Sequence, residues 1–66
     1  MKTLREARQE KDMTLQCLSE LCNVSIVTLS NIERGKQMPY PGTRKKIEAF
    51  MGKIDWMETH MKGFLR

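Results

Sequence analysis

Residues 14–35, TLQCLSELCNVSIVTLSNIERG, decide the fold. Thr14 has the short side-chain oxygen of a helix N-cap, and the helix it opens ends near Cys22. Asn23 then falls in the turn. A chain that leaves a helix so sharply needs a left-handed residue there, which glycine supplies best and asparagine next best. Ser25 is an N-cap for a second helix, and Gly35 is a natural terminator for it. Sorted at about 100° per residue, Leu29 and Ile32 face the core together with Val24, which precedes the helix. Val27, Ser30, Asn31 and Arg34 gather on the opposite side, with Ile26 and Thr28 at its edges. Where this helix crosses the first one, the residue beneath must be small, and Ser19 is placed for that. Leu18 and Cys22 complete the apolar side of the first helix.

Working outward, Thr3-Leu-Arg-Glu6 is a capping box that opens an earlier helix running to about Lys11. Asp12 and Met13 connect it to Thr14. Residues 36–42, KQMPYPG, are loop at least until Pro41, which suits the first turn of a fourth helix closed by Gly52. Asp55-Trp-Met-Glu58 is a second box, opening a fifth helix towards Phe64, over about residues 55–65. No strand signal competes, and there is no internal repeat, low-complexity tract or linker. The expectation is an all-α chain with one domain over residues 1–66, its two-helix unit at about 14–35. Two helices joined by so tight a turn form a device for presenting one of them to the major groove of DNA.

The remaining composition narrows the function. Sixty-six residues lie near the lower limit for a self-sufficient core and leave little room for an enzyme cleft. The single histidine, His60, has no cysteine or acidic cluster at metal-ligand spacing and reads as solvated. No catalytic role, metal or cofactor is expected. The net charge of +4 favours a polyanion as partner. Its distribution says more: Arg34, Lys36, Arg44, Lys45 and Lys46 follow one another with no acid between them, whereas Glu6, Glu10, Asp12 and Glu20 balance the N-terminal third. Cys17 and Cys22 share a helix, where five residues of rise separate their Cα atoms by roughly 7.5 Å, beyond the roughly 7 Å a disulfide spans. They read as reduced thiols of a cytoplasmic protein. No signal peptide or membrane-length apolar run is expected, because Lys2, Arg5, Glu6 and Arg8 interrupt the N-terminus.

The threonine-led second helix, V-S entering the third, the run L-S-N-I-E-R-G-K, and P-x-P-x-T-R-K-K-I leading to Gly52 together resemble the helix–turn–helix family of Cro and the phage repressors, also called xenobiotic-response-element-like regulators. The resemblance covers roughly residues 3 to 56. It implies a lambda-repressor-like domain of four or five helices that binds double-stranded operator DNA sequence-specifically, usually as a homodimer, in a bacterial cell or phage-infected host. Carried over by position, Ser25, Ile26, Val27, Thr28 and Asn31 fall where the family reads base edges. Thr14 and Gln16 fall where it grips phosphate, and Lys36, Arg44, Lys45 and Lys46 where it grips the backbone again. Arg8 and Glu33 match a pair that in relatives ties helix one to helix three by a salt bridge. The alternative for Arg8 is a DNA contact.

Departures from the pattern carry information. Leu15 stands where the family commonly has glutamine, with Gln16 following. Ile26 and Val27 are apolar where relatives often carry polar or charged side chains; such residues read thymine methyl groups, which points to A·T-containing sites. Tyr40 replaces the hydroxyl residue that usually caps helix four, and either its phenol contacts a phosphate or its ring packs over the loop. Ile54, Met57, Met61, Phe64 and Leu65 recur at helical spacing, near Met51 and Trp56. Ile54 and Met57 are assigned to the core, whereas Met61, Phe64 and Leu65 are candidates for a dimer or partner interface. Gly63 weakens the last turn and argues against a long coiled coil. The reading is a repressor of phage or mobile-element type, with the sign of regulation resting on family tendency and antitoxin or excision roles using the same fold. The alternative is an interaction module that keeps the fold but binds another regulator, fed by Leu15, Ile26 and Val27.

Overall fold

A computed structural model describes residues 1–65. It contains five helices: α1 (Leu4–Glu10), α2 (Leu15–Cys22), α3 (Ile26–Glu33), α4 (Pro41–Met51) and α5 (Trp56–Phe64). Each begins at the residue type expected to begin it. Thr3 and Glu6 form a reciprocal capping box, the Thr3 hydroxyl accepting from the Glu6 amide at 3.2 Å and the Glu6 carboxylate from the Thr3 amide at 2.9 Å. The second box is half-formed. Asp55 accepts from the Glu58 amide at 3.0 Å, but its own amide donates to the Lys2 carbonyl at 2.8 Å. That bond belongs to an isolated parallel bridge between Lys2 and Ile54, which is the extended pairing found among the described residues. The Glu58 carboxylate lies instead 3.8 Å from Lys62.

The core draws on every helix: Leu4 and Ala7, Leu18 and Cys22, Leu29 and Ile32, Ile47 and Met51, then Ile54 and Trp56. Met13, Leu15 and Val24 pack against its edge. Burial holds the Cys22 thiol above its ordinary range, so it stays protonated, and Cys17 is free and exposed. The assignment of Met57 to the core is corrected: it is 65% exposed. Helix α5 turns Trp56, Thr59 and Gly63 inward, and Met57, about 100° round from Trp56, points out. Sequence periodicity identified an apolar stripe there, but it lies on the outward face. His60 is likewise corrected from solvated to half-buried, with Nδ1 shut off from solvent and unpartnered.

Buried polar groups join the helices. Thr59 accepts from the Leu4 amide at 3.0 Å, satisfying a donor that the first turn of α1 leaves without an intrahelical acceptor, and donates to the Asp55 carbonyl at 2.7 Å. The Glu48 carboxylate receives the Ile54 amide and the Trp56 indole N–H at 3.2 and 3.1 Å, holding the α4–α5 connection. Arg8 reaches Glu33 through two parallel bonds, Nε to Oε2 at 2.8 Å and Nη2 to Oε1 at 3.0 Å. Its remaining terminal nitrogen donates to the Met13 carbonyl at 2.8 Å, while the Met13 amide donates back to the Arg8 carbonyl at 3.1 Å. The Glu33 side chain is 5% exposed, and its hydrogen bond holds the Arg8 guanidinium above its ordinary value.

The end of α3 meets α5 backbone to backbone. A Cβ at Gly63 would collide with the Glu33 carbonyl oxygen and lie 2.6 Å from the Gly35 nitrogen, and a Cβ at Gly35 would lie 2.9 Å from the Phe64 Cα. Gly63 is therefore a contact residue, beyond its effect on helix propensity.

Four outcomes follow from this packing. Gly63→Ala is expected to lower stability by about 3 kcal/mol, because backbone atoms on both sides must move. Gly42→Ala, with open space around it in the first turn of α4, is expected to raise it by about 0.5–1 kcal/mol; thermal melts of the two variants should move in opposite directions. Arg8→Ala strands a buried carboxylate and is expected to reduce the urea unfolding free energy by about 3 kcal/mol, most of it recovered when Glu33→Leu is added. Finally, the Thr3 amide, and next the Lys62 charge, hold the Glu6 carboxyl below its ordinary value of 4.5. A depressed folded value contributes stability that is present above that pH and lost as pH falls through the folded value. Glu6→Gln is thus expected to flatten the acid side of a melting-temperature profile.

Candidate nucleic-acid interface

The turn between α2 and α3 is closed by one residue acting twice. The Ser19 carbonyl accepts from the Val24 amide at 3.2 Å, and the Ser19 hydroxyl donates to the Val24 carbonyl at 2.5 Å. Asn23 between them is left-handed, with φ 57° and ψ 43°. Sequence reading asked only that Ser19 be small; its hydroxyl is equally part of the turn. Ser25 caps α3 by accepting from the Val27 amide at 3.2 Å. At the far end Gly35, with φ 71°, closes a Schellman motif in which Lys36 N–H reaches the Asn31 carbonyl at 2.8 Å and Gly35 N–H the Ile32 carbonyl at 3.2 Å. Both ends of α3 are thereby fixed, and its inward residues Leu29, Ile32 and Glu33 are buried.

The outward side of α3 carries the residues expected to read bases. Ser25, Ile26 and Val27 are exposed, and Thr28 and Asn31 are half-buried. Val27 projects furthest of the two apolar ones, at 64% exposure against 43% for Ile26. Because the Ser25 oxygen accepts within the cap, its hydroxyl proton remains to be donated outward. The Asn31 amide approaches Gln37 Oε1 at 3.5 Å. Gln37, in the loop after the Schellman motif, was not identified from sequence. A loop glutamine carries no periodic signal, and only the fold sets it beside Asn31.

Helix α2 packs against α3. Thr14 accepts from the Cys17 amide at 3.0 Å, so its hydroxyl proton is also available. The Leu15 and Gln16 amides in this first turn lack intrahelical acceptors, and Gln16 is exposed. Leu15 is half-buried and packs against the edge of the core.

In the basic flank Lys36, Lys45 and Lys46 are exposed. Arg44 is half-buried, its Nε donating to the Pro39 carbonyl at 3.3 Å, so part of its guanidinium holds the loop in shape. Tyr40 makes no side-chain cap bond and stands 77% exposed, which excludes packing over the loop. Buried Pro39 and the Pro41 helix start fix the backbone on either side without it. Glu33 of α3 is paired with Arg8, and Glu48 of α4 accepts from the Ile54 amide and the Trp56 indole.

Among the described residues no three histidine, cysteine or acidic side chains converge as a metal site, and no helix is long and apolar enough to cross a membrane. No curated protein and no solved structure matches the chain significantly. Residues 4–57 match the family model described as helix–turn–helix, which takes in α1 to α4 whole and the start of α5. With that match spanning most of its length, this chain belongs to the Cro/C1-type, XRE-like helix–turn–helix family and is a DNA-binding regulator of that family.

Proposed function

We propose that this chain is a transcriptional repressor of phage or mobile-element type, which occupies an operator sequence-specifically and so blocks polymerase. The observation that carries this reading is the exposed start of α3, with Glu33 at its other end buried against Arg8. Ser25, Ile26, Val27, Thr28 and Asn31 enter the major groove and contact base edges. Thr14 and Gln16, at the positive end of α2, bind one stretch of phosphates. Lys36, Lys45 and Lys46, with the outer part of Arg44, bind another and release counterions. Tyr40 stands free to add a phenol–phosphate contact.

The operator-bound form is a homodimer. The longest dimension of one domain is 27 Å, whereas half-sites read from one face of DNA lie about 34 Å apart. One copy therefore covers one half-site. Met61, Phe64 and Leu65 form the dimer surface, joined by Met57 on the same exposed stripe of α5. The exposed Ile26 and Val27 favour one second reading, in which the same face binds another regulatory protein.

Selection from a randomised duplex pool at low salt tests the proposal. A motif is expected to emerge; Asn31→Ala should relax it at one position, and Lys46→Ala should weaken all sequences alike and reduce the salt slope by roughly one. If no sequence enriches while a protein co-purifies, the second reading replaces this one.

A further inference from the structure

We propose that Val27 reads a pyrimidine C5-methyl group, so that 5-methylcytosine substitutes for thymine at the base it meets and DNA methylation raises affinity for such sites. This rests on the reading of α3 as the helix that enters the major groove. Val27 occupies the first turn of α3, 64% exposed, between the capped Ser25 and the fixed turn. Its amide is bonded to the Ser25 hydroxyl, so the backbone beneath the side chain is held by the cap. The isopropyl group has no donor or acceptor to offer. In the major groove the C5-methyl of thymine is the one apolar group that projects from a base edge, where cytosine has only a C5–H beside its N4 donor. A rigid apolar side chain pressed against any other edge desolvates a polar atom without replacing its bond.

The neighbouring side chains divide the work. Ser25, Thr28 and Asn31, with Gln37 beside Asn31, carry the hydrogen-bonding capacity of this face. Ile26 is more covered than Val27 and lies at the edge of the exposed face. Val27 is therefore the residue whose contact depends on a methyl group rather than on a base pair as such. Cytosine methylated at C5 presents that group at the same place in the groove, above a different set of exocyclic atoms. Unmethylated cytosine and uracil do not present it. Burying one methyl against another is worth about fourfold in affinity.

The test uses the intact chain and the best duplex from the selection described above. Each thymine is replaced in turn by deoxyuridine, and separately by cytosine or 5-methylcytosine opposite guanine. One thymine per half-site is expected to show about fourfold weaker binding as uracil, and 5-methylcytosine there is expected to bind about fourfold better than cytosine. Val27→Ala, at an exposed position, should keep the melting temperature and erase both differences, while Ile26→Ala retains them. A motif that enriches but is indifferent to methyl removal at every thymine overturns this inference and leaves the DNA-binding reading standing. Methyl sensitivity that persists in Val27→Ala overturns the assignment to Val27. Absence of any enriched motif overturns the operator reading and this inference together.

Discussion

A carboxylate buried within a helix is tolerable only if a cation meets it, and here that cation comes from a different helix. Glu33 lies at the inner end of α3, and Arg8 of α1 reaches it with two parallel bonds while a third holds the Met13 carbonyl. One side chain thus joins α1, the α1–α2 connection and α3. The planar guanidinium with its fork of donors makes this possible, and a lysine at position 8 would lose at least one of the three contacts. Burial also removes a negative charge from the side of α3 that carries Ser25 to Asn31.

The other end of the arrangement is set by absence of side chain. Gly35 and Gly63 allow the end of α3 and the last turn of α5 to approach until their backbones touch. Gly35 has a second duty, because its positive φ closes the Schellman motif that sends the chain towards the basic loop. The direction of α3, the start of the loop and the position of the α5 stripe are therefore set at one crossing. The stripe from Met57 to Leu65 stays outward because Trp56, Thr59 and Gly63 occupy the inward positions. Thr59 could not be replaced there by an apolar residue without stranding the Leu4 amide.

Much of this was legible in the residues themselves. Helix starts are written in short side chains whose oxygen can reach a backbone amide, so Thr3, Thr14, Ser25 and Asp55 could be read one at a time. The turn at Asn23 and the closure at Gly35 follow from backbone sterics of the same local kind. Beyond the Arg8–Glu33 pair, which the family resemblance implied, and the small residue at the Ser19 crossing, contacts that depend on which helix lies opposite could not be read. Periodicity marked the stripe on α5 but could not say which side of it meets the core, and Met57 was misassigned on that account. Gly63 looked like a weak helix residue because its partner, the Glu33 carbonyl, is thirty residues away in sequence. The pairing of Gln37 with Asn31, the buried side of His60 and the packing of Leu15 are tertiary facts of the same type. For the surface, charge order along the chain located the basic flank, but only the fold revealed that Arg44 spends one nitrogen on Pro39.

The central claim is that the outward side of α3, with its two flanks, is where this domain meets its partner. Backbone amide NMR during titration with the selected duplex addresses it directly. The account predicts that shifts concentrate at Thr14–Gln16, Ser25–Asn31 and Lys36–Lys46, with α1 unmoved. Shifts centred on the Met57–Leu65 stripe, with the amides of α3 unchanged, would contradict it.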